Sequence, residues 1–219
     1  MSISQRLRQD ADPIWQGIIE HPFVVELYEG TLPMEKFKSY ILQDYNYLVS
    51  LIEVLSIIAS RATSLDAMRE VVEILRLELD SELKGYEEFL KRLGCSRQEA
   101  MAIDPLPMNL SYTSFLLSTS SLKPYAESIT SILPCFWSYA EIAAHHQGKL
   151  RGNGNRLLVE WAEVYLSEAY LDLVERVKRL VDEAGEGFPY ERLLETFSMA
   201  SRYEYTYWEA MYNMETWPL

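Results

Sequence analysis

Hydrophobic positions recur every three or four residues along most of the chain, which is the spacing of amphipathic helices. Ile3, Leu7, Ile14, Trp15 and Ile18 predict a first helix that ends at His21-Pro22. A short helix over 23–29 is stopped by Gly30, and Pro33 then occupies a first-turn position, where a missing N–H is tolerated. Phe37, Tyr40, Ile41, Leu48, Leu51, Leu55 and Ile58 mark a long helix over 34–61. Thr63 and Asp66 resemble a capping box opening another long helix, with Leu75, Leu79, Leu83, Tyr86 and Leu93 as its apolar stripe and Gly94 as its stop. Ser96 and Glu99 form a second capping box on a short helix.

Residues 104–108 predict a loop, after which Asn109 or Ser111 starts a short helix carrying Tyr112 and Phe115. The segment 124–146 is helical and very apolar, and Gly152-Asn-Gly-Asn is a turn. Helical spacing resumes through Trp161 and Tyr165, again over 168–184, and last over 189–214. No period-two alternation survives over a useful length, and no repeat or linker divides the chain. The expectation is one all-α helical domain over 1–219.

Composition narrows the function classes. The chain has 219 residues, 20 Lys+Arg and 33 Asp+Glu, for a formal net charge of −13. No basic run is present to grip phosphate backbones or anionic lipid, so neither nucleic acid nor membrane surface is an expected partner. Cys95 and Cys135 are too far apart for a zinc-binding pair and too few for a disulfide framework, which favours a reducing compartment. No apolar leader core opens the sequence, and no stretch of about 18 uncharged apolar residues predicts a membrane span. The expected location is the cytoplasm. The 15 tyrosines suit a pocket for a polar ring, because each joins a flat apolar body to a polar tip.

Three reactive side chains interrupt apolar stripes. Asp44 follows Phe37, Tyr40 and Ile41 and precedes Leu48 and Leu51, with Tyr47 on the same face. Either a structural hydrogen bond to a neighbouring helix or a ligand-binding role fits it. Glu204 lies among Phe197, Ala200, Trp208 and Met211, where burial favours a raised pKa suited to proton transfer; a core ion pair is the alternative. Cys135 follows Pro134, whose missing N–H disturbs the helix beside the thiol, and Tyr139 shares its face. Inert packing is the alternative, since free cysteines are among the most buried residues. The acidic run from Glu70 to Glu88 reads as a solvated helix face. His21 reads as a helix-end residue, and His145 and His146 suit a helix C-terminus. No Glu-x-x-His pair for a di-iron bundle and no Gly-rich phosphate loop is present.

These same residues carry a resemblance to the TenA family, also called thiaminase II or aminopyrimidine aminohydrolase. His21-Pro-Phe, Gly30-Thr-Leu-Pro and Phe37 resemble its opening pattern, and Tyr40-Ile-Leu-Gln-Asp44 with Tyr47-Leu48 its aspartate helix. Ser111-Tyr112-Thr-Ser resembles its central tyrosine motif, Leu133-Pro-Cys135-Phe-Trp-Ser-Tyr139 its nucleophile segment, and Tyr203-Glu204-Tyr-Thr-Tyr-Trp208 its C-terminal acid segment. Trp161 through Tyr165 matches a further ligand-contacting tyrosine. The likeness runs from Trp15 to Trp208 and departs at Tyr86, where members often carry histidine.

The resemblance implies a haem-oxygenase-like bundle, a homotetramer, with neither metal nor cofactor. It implies hydrolysis of 4-amino-5-aminomethyl-2-methylpyrimidine to the hydroxymethylpyrimidine and ammonia, with thiamin as a second substrate in the cysteine-bearing branch. Cys135 would then be the nucleophile and Glu204 the general acid, and Asp44 would hold the 4-amino group. Tyr139 would offer a stacking face, Tyr47, Tyr112 and Tyr165 would donate to ring or thiol, and Tyr207 would add an aromatic wall. The rival readings are a non-catalytic pyrimidine-binding or regulatory protein, and a haem- or quinone-handling enzyme on the same fold.

Overall fold

The computed structural model describes residues 1–218, and among these there are helices and no strand. The single first helix expected from the pattern is two: α1 (Ile3–Asp10) and α2 (Asp12–Ile19). Pro13 lies in the first turn of α2, where its missing N–H is tolerated. Ser2 and Gln5 cap α1 reciprocally. His21 begins α3 (Pro22–Glu29) rather than ending the element before it. Its Nδ1 accepts the Phe23 N–H at 3.2 Å while Nε2 meets Glu209 at 2.9 Å. Gly30 closes α3 with φ of 79°, the left-handed conformation that favours glycine.

The long helix α4 (Met34–Ser60) is apolar and long enough to cross a bilayer by length and composition alone, but Asp44 and Glu53 interrupt it, so it holds no uncharged stretch of that length. It is a core helix: Phe37, Tyr40, Ile41, Leu51, Val54, Leu55 and Ile58 are buried against its neighbours. α5 (Leu65–Leu77) is capped by Ser64, not Thr63, through the Ala67 N–H at 3.0 Å. It runs into a wide π turn (Glu78–Glu82) and on into α6 (Leu83–Arg92). The reciprocal Ser96–Glu99 cap opens α7 (Arg97–Ala102) as expected. α8 (Pro107–Leu122) starts earlier and runs longer than the pattern suggested, because Pro107 suits a first turn.

α9 (Tyr125–His146) is the central strut and carries Pro134 in its interior. It packs on α8, α11 (Glu168–Gly185) and α12 (Tyr190–Tyr212), and is buried almost all round. A 3-10 turn (Gln147–Gly152) and α10 (Arg156–Val164) complete the chain order. One hydrophobic cluster threads these helices, anchored by Trp15, Trp161 and Trp208. The Trp15 indole N–H donates to the Ser201 hydroxyl at 3.0 Å, tying α2 to α12 in the interior. Inside this core, α4, α9 and α12 bring Asp44, Cys135 and Glu204 together.

Candidate active site

Each of the three reactive residues is more than nine-tenths buried: Asp44 is 4% exposed, Cys135 7% and Glu204 3%. Asp44, Tyr47, Cys135, Tyr139 and Tyr165 line one cleft, together with Glu78, Glu82, Tyr86, Phe136 and Tyr170. Glu204, Tyr112 and Tyr207 adjoin this lining, Glu204 beside Cys135 and Tyr207 beside Asp44.

The Asp44 carboxylate accepts from the Tyr40 hydroxyl at 3.0 Å and from Tyr86. Tyr40 and Tyr86 are themselves 2.8 Å apart at their hydroxyls, and Tyr40 reaches Tyr139 at 3.3 Å. Burial pushes Asp44 up to about 6, against the pull of the Tyr86, Tyr40 and Tyr207 hydroxyls. Tyr86, the departure from the family resemblance, thus supplies a phenol to Asp44.

Glu204 accepts from the Tyr112 hydroxyl at 2.6 Å. Burial raises it to about 8; Tyr112 and Ser138 oppose this and the Asp44 charge adds to it. At neutral pH the Glu204 carboxyl is therefore mostly protonated, the state a general acid needs. The Tyr112 hydroxyl is directed at Glu204 and its ring stacks on Tyr203 at 5.0 Å, so its contact is with the acid rather than with the thiol.

The Cys135 thiol donates to the Ile132 carbonyl at 2.9 Å. Burial and then the charge of Glu204 push it well above the ordinary thiol range, so the resting group is S–H rather than thiolate. The Tyr47 hydroxyl lies beside it and favours the thiolate, although no partner meets hydrogen-bond geometry at that oxygen. Tyr139 and Tyr165 form an aromatic wall with centroids 4.9 Å apart, and Tyr170 holds the Phe136 carbonyl at 2.9 Å. Tyr207 packs against Tyr40 and Tyr47 from behind.

The acidic run from Glu70 to Glu88 is not wholly solvated. Glu78 is 4% exposed and faces the cleft with Glu82, while Leu79, expected in the apolar stripe, is 43% exposed. Burial lifts Glu82 to about 7, with the Asp44 charge adding to it, and raises Glu78 as well. The signal that could have located them is the uniform spacing of four through Ile74, Glu78, Glu82, Tyr86 and Leu90. That spacing drifts around an α-helix of about 3.6 residues per turn, but one wider turn takes up the drift.

Elsewhere, Glu20, His145 and His146 bring possible metal-ligand atoms within 4.8 Å of one another. The His146 Nε2 already meets the Ile19 carbonyl at 2.8 Å, and Glu20 and His145 are exposed. The two histidines lie at the end of α9, roughly 15 Å of helical rise from Cys135.

The fold has clear counterparts. A TenA homologue from P. horikoshii OT3 superposes with a TM-score of 0.93 at 43% identity, covering 97% of this chain and 99% of that one. A heme-oxygenase-like domain from Shewanella denitrificans matches at 0.77 with 12% identity, covering 96% and 92%, which shows the fold alone. A protein named aminopyrimidine aminohydrolase from Halalkalibacterium halodurans is 31% identical over 99% of this chain and 98% of its own length. The TENA/THI-4/PQQC family model matches residues 8–214, and the chain belongs to that family.

Proposed function

We propose that this hydrolase converts 4-amino-5-aminomethyl-2-methylpyrimidine to the hydroxymethylpyrimidine and ammonia, a thiamin salvage step, with Cys135 as nucleophile and thiamin as a second substrate. Relatives from Halalkalibacterium halodurans and Bacillus subtilis named aminopyrimidine aminohydrolase, each 31% identical over 99% of the chain, support the reaction class. The observation that carries the reading is a buried thiol and a buried aspartate on one tyrosine-walled cleft, with a protonated glutamate beside the thiol.

Direct displacement of an amine from a methylene on an electron-poor ring is slow. Addition of Cys135 Sγ to a ring carbon, with a proton delivered to a ring nitrogen by Glu204, makes the ring electron-rich and able to expel the amine. The sulfur proton passes to solvent water as the S–C bond forms and returns to the thiolate when that bond breaks, and the ammonium of the arm departs as neutral ammonia. Water then adds to the exposed methylene and loses a proton, the S–C bond breaks, and the ring nitrogen returns its proton to Glu204. Because Glu204 begins neutral, it adds little repulsion to the thiolate as that forms. Asp44, held by Tyr40 and Tyr86, accepts from the 4-amino group and fixes the ring, and Tyr139 offers its face for stacking. Tyr47 and Tyr165 donate from the cleft wall, Tyr112 holds the acid, and Tyr207 backs the aromatic wall. The reading extends to a cytoplasmic homotetramer.

Incubation of the purified protein with the aminomethylpyrimidine and with thiamin, following ammonia and the hydroxymethylpyrimidine, tests the reading. Product from the first compound is expected. No product from either, with pyrimidine binding retained, would instead favour a binding protein on this fold.

A further inference from the structure

Two of the cleft's acids have no task in that reaction. Glu78 and Glu82 lie one helical turn apart on the wide turn between α5 and α6, and both line the cleft beside Cys135 and Asp44. Glu78 is 4% exposed, and nothing among the described residues donates to its carboxylate. Tyr165 is the one group that eases the charge on Glu82. Among the described residues no Lys, Arg or His lines the cleft beside them. The cleft wall thus carries three acids, with Glu204 beside it, and among the described residues no cation.

Buried carboxylates without partners oppose folding, and their mutual repulsion adds to that. A π turn is itself a departure from the regular helix that is frequent at functional sites. Here it holds Glu78 and Glu82 on the face that also carries Ile74 and Tyr86, so the distortion and the unpaired acids share one location. A positively charged occupant would supply the missing partner. Among the described residues, ligand atoms gather within 4.8 Å only at Glu20, His145 and His146, so the cleft acids are not drawn together as a metal cage. They are spread along a wall, as a contact for an extended organic cation would be.

We infer that Glu78 and Glu82 form the subsite for the cationic leaving group, binding the ammonium of the aminomethyl arm or the thiazolium of thiamin. This rests on the proposed reaction and deepens it. Both substrates carry a positive charge on the group that departs, whereas the hydroxymethyl product is neutral there. The pair would favour substrate over product and release the product once the charge has gone.

Calorimetric binding to the full-length Cys135→Ser variant separates the two ligands without turnover. Adding Glu78→Gln or Glu82→Gln to that variant should weaken the aminomethylpyrimidine on the order of 10-fold or more. The hydroxymethylpyrimidine should stay within about 2-fold, because the lost contact is to charge alone. Thermal melts of the ligand-free Glu78→Gln protein at pH 8 should be no lower than the parent, since an unpaired charge has been removed. Equal weakening of both ligands, or a lowered melt, would mean that the pair merely supports the wall and would overturn the subsite. Unchanged binding of both would overturn it too. Failure of Cys135→Ser to bind either compound is a separate result, which refutes the aminopyrimidine reading and the subsite with it.

Discussion

Cys135, Asp44 and Glu204 share one physical property: each is a reactive group buried where its charged form is disfavoured. Their roles separate by what touches them. Cys135→Ser is expected to reduce turnover roughly 10³-fold or more, since serine is a far weaker nucleophile, while pyrimidine affinity is largely kept; steady-state rates beside calorimetry check this. Asp44→Ala should act mainly on binding, weakening it about 10- to 100-fold through loss of a charged hydrogen bond. Glu204 makes a prediction about stability as well. Its folded pKa, about 8, stands above the usual 4.5, so the folded state holds the proton more tightly. Stability from this group is full below about 4.5 and is lost as pH rises through about 8, by up to about 5 kcal/mol. Glu204→Gln should flatten the fall in melting temperature between pH 5 and pH 9 and lower the rate about 10²- to 10⁴-fold. A slope equal to the parent's would show that Glu204 is not the buried proton holder.

At the scale of helices, the pattern of apolar positions was enough for the all-α class and for placing Asp44, Cys135 and Glu204 on long buried helices. It failed where the helical period changes. Projecting an undisturbed period through residues 65–93 put Leu79 inside and left Glu78 in solvent, whereas the π turn reverses the two. The Asp44 partners, Tyr40 and Tyr86, come from α4 and α6, and only tertiary packing joins them. Helix ends were more legible, because their chemistry is local. Two of them make a paired test. Gly94, with φ of 72°, has open space around a would-be Cβ, so Gly94→Ala should cost only the left-handed strain, about 1–2 kcal/mol. Gly30, with φ of 79°, faces the Asn153 side chain, where a Cβ would fall 2.3 Å from Oδ1. Asn153 also donates to the Leu27 and Tyr28 carbonyls, which fixes the end of α3. Gly30→Ala should therefore be the costlier change in urea melts, by about 1 kcal/mol or more beyond Gly94→Ala.

For the whole molecule, the net charge of −13 and the exposed apolar residues pull in opposite directions. Leu65 and Val72 of α5 and Leu79 of the π turn that follows it are 61%, 46% and 43% exposed. Ion pairs Asp66–Arg69, Glu73–Arg76 and Arg76–Asp80 run beside them. Exposed apolar residues edged by both signs of charge make this side of α5 a candidate surface for the proposed homotetramer. With 25.5 kDa per chain, light scattering on a sizing column should give about 102 kDa, four times the monomer. Val72→Glu, exposed in the monomer and remote from the cleft, should yield smaller species with unchanged helical content. Every subunit brings its excess of acid to the assembly, so repulsion should loosen it at low ionic strength. Raising salt from about 0.01 M to 0.15 M shortens the screening length from about 30 Å to about 8 Å, and the assembled fraction should rise. A wild-type mass of 25.5 kDa at every salt concentration would overturn the assembly and leave the α5 surface without this partner.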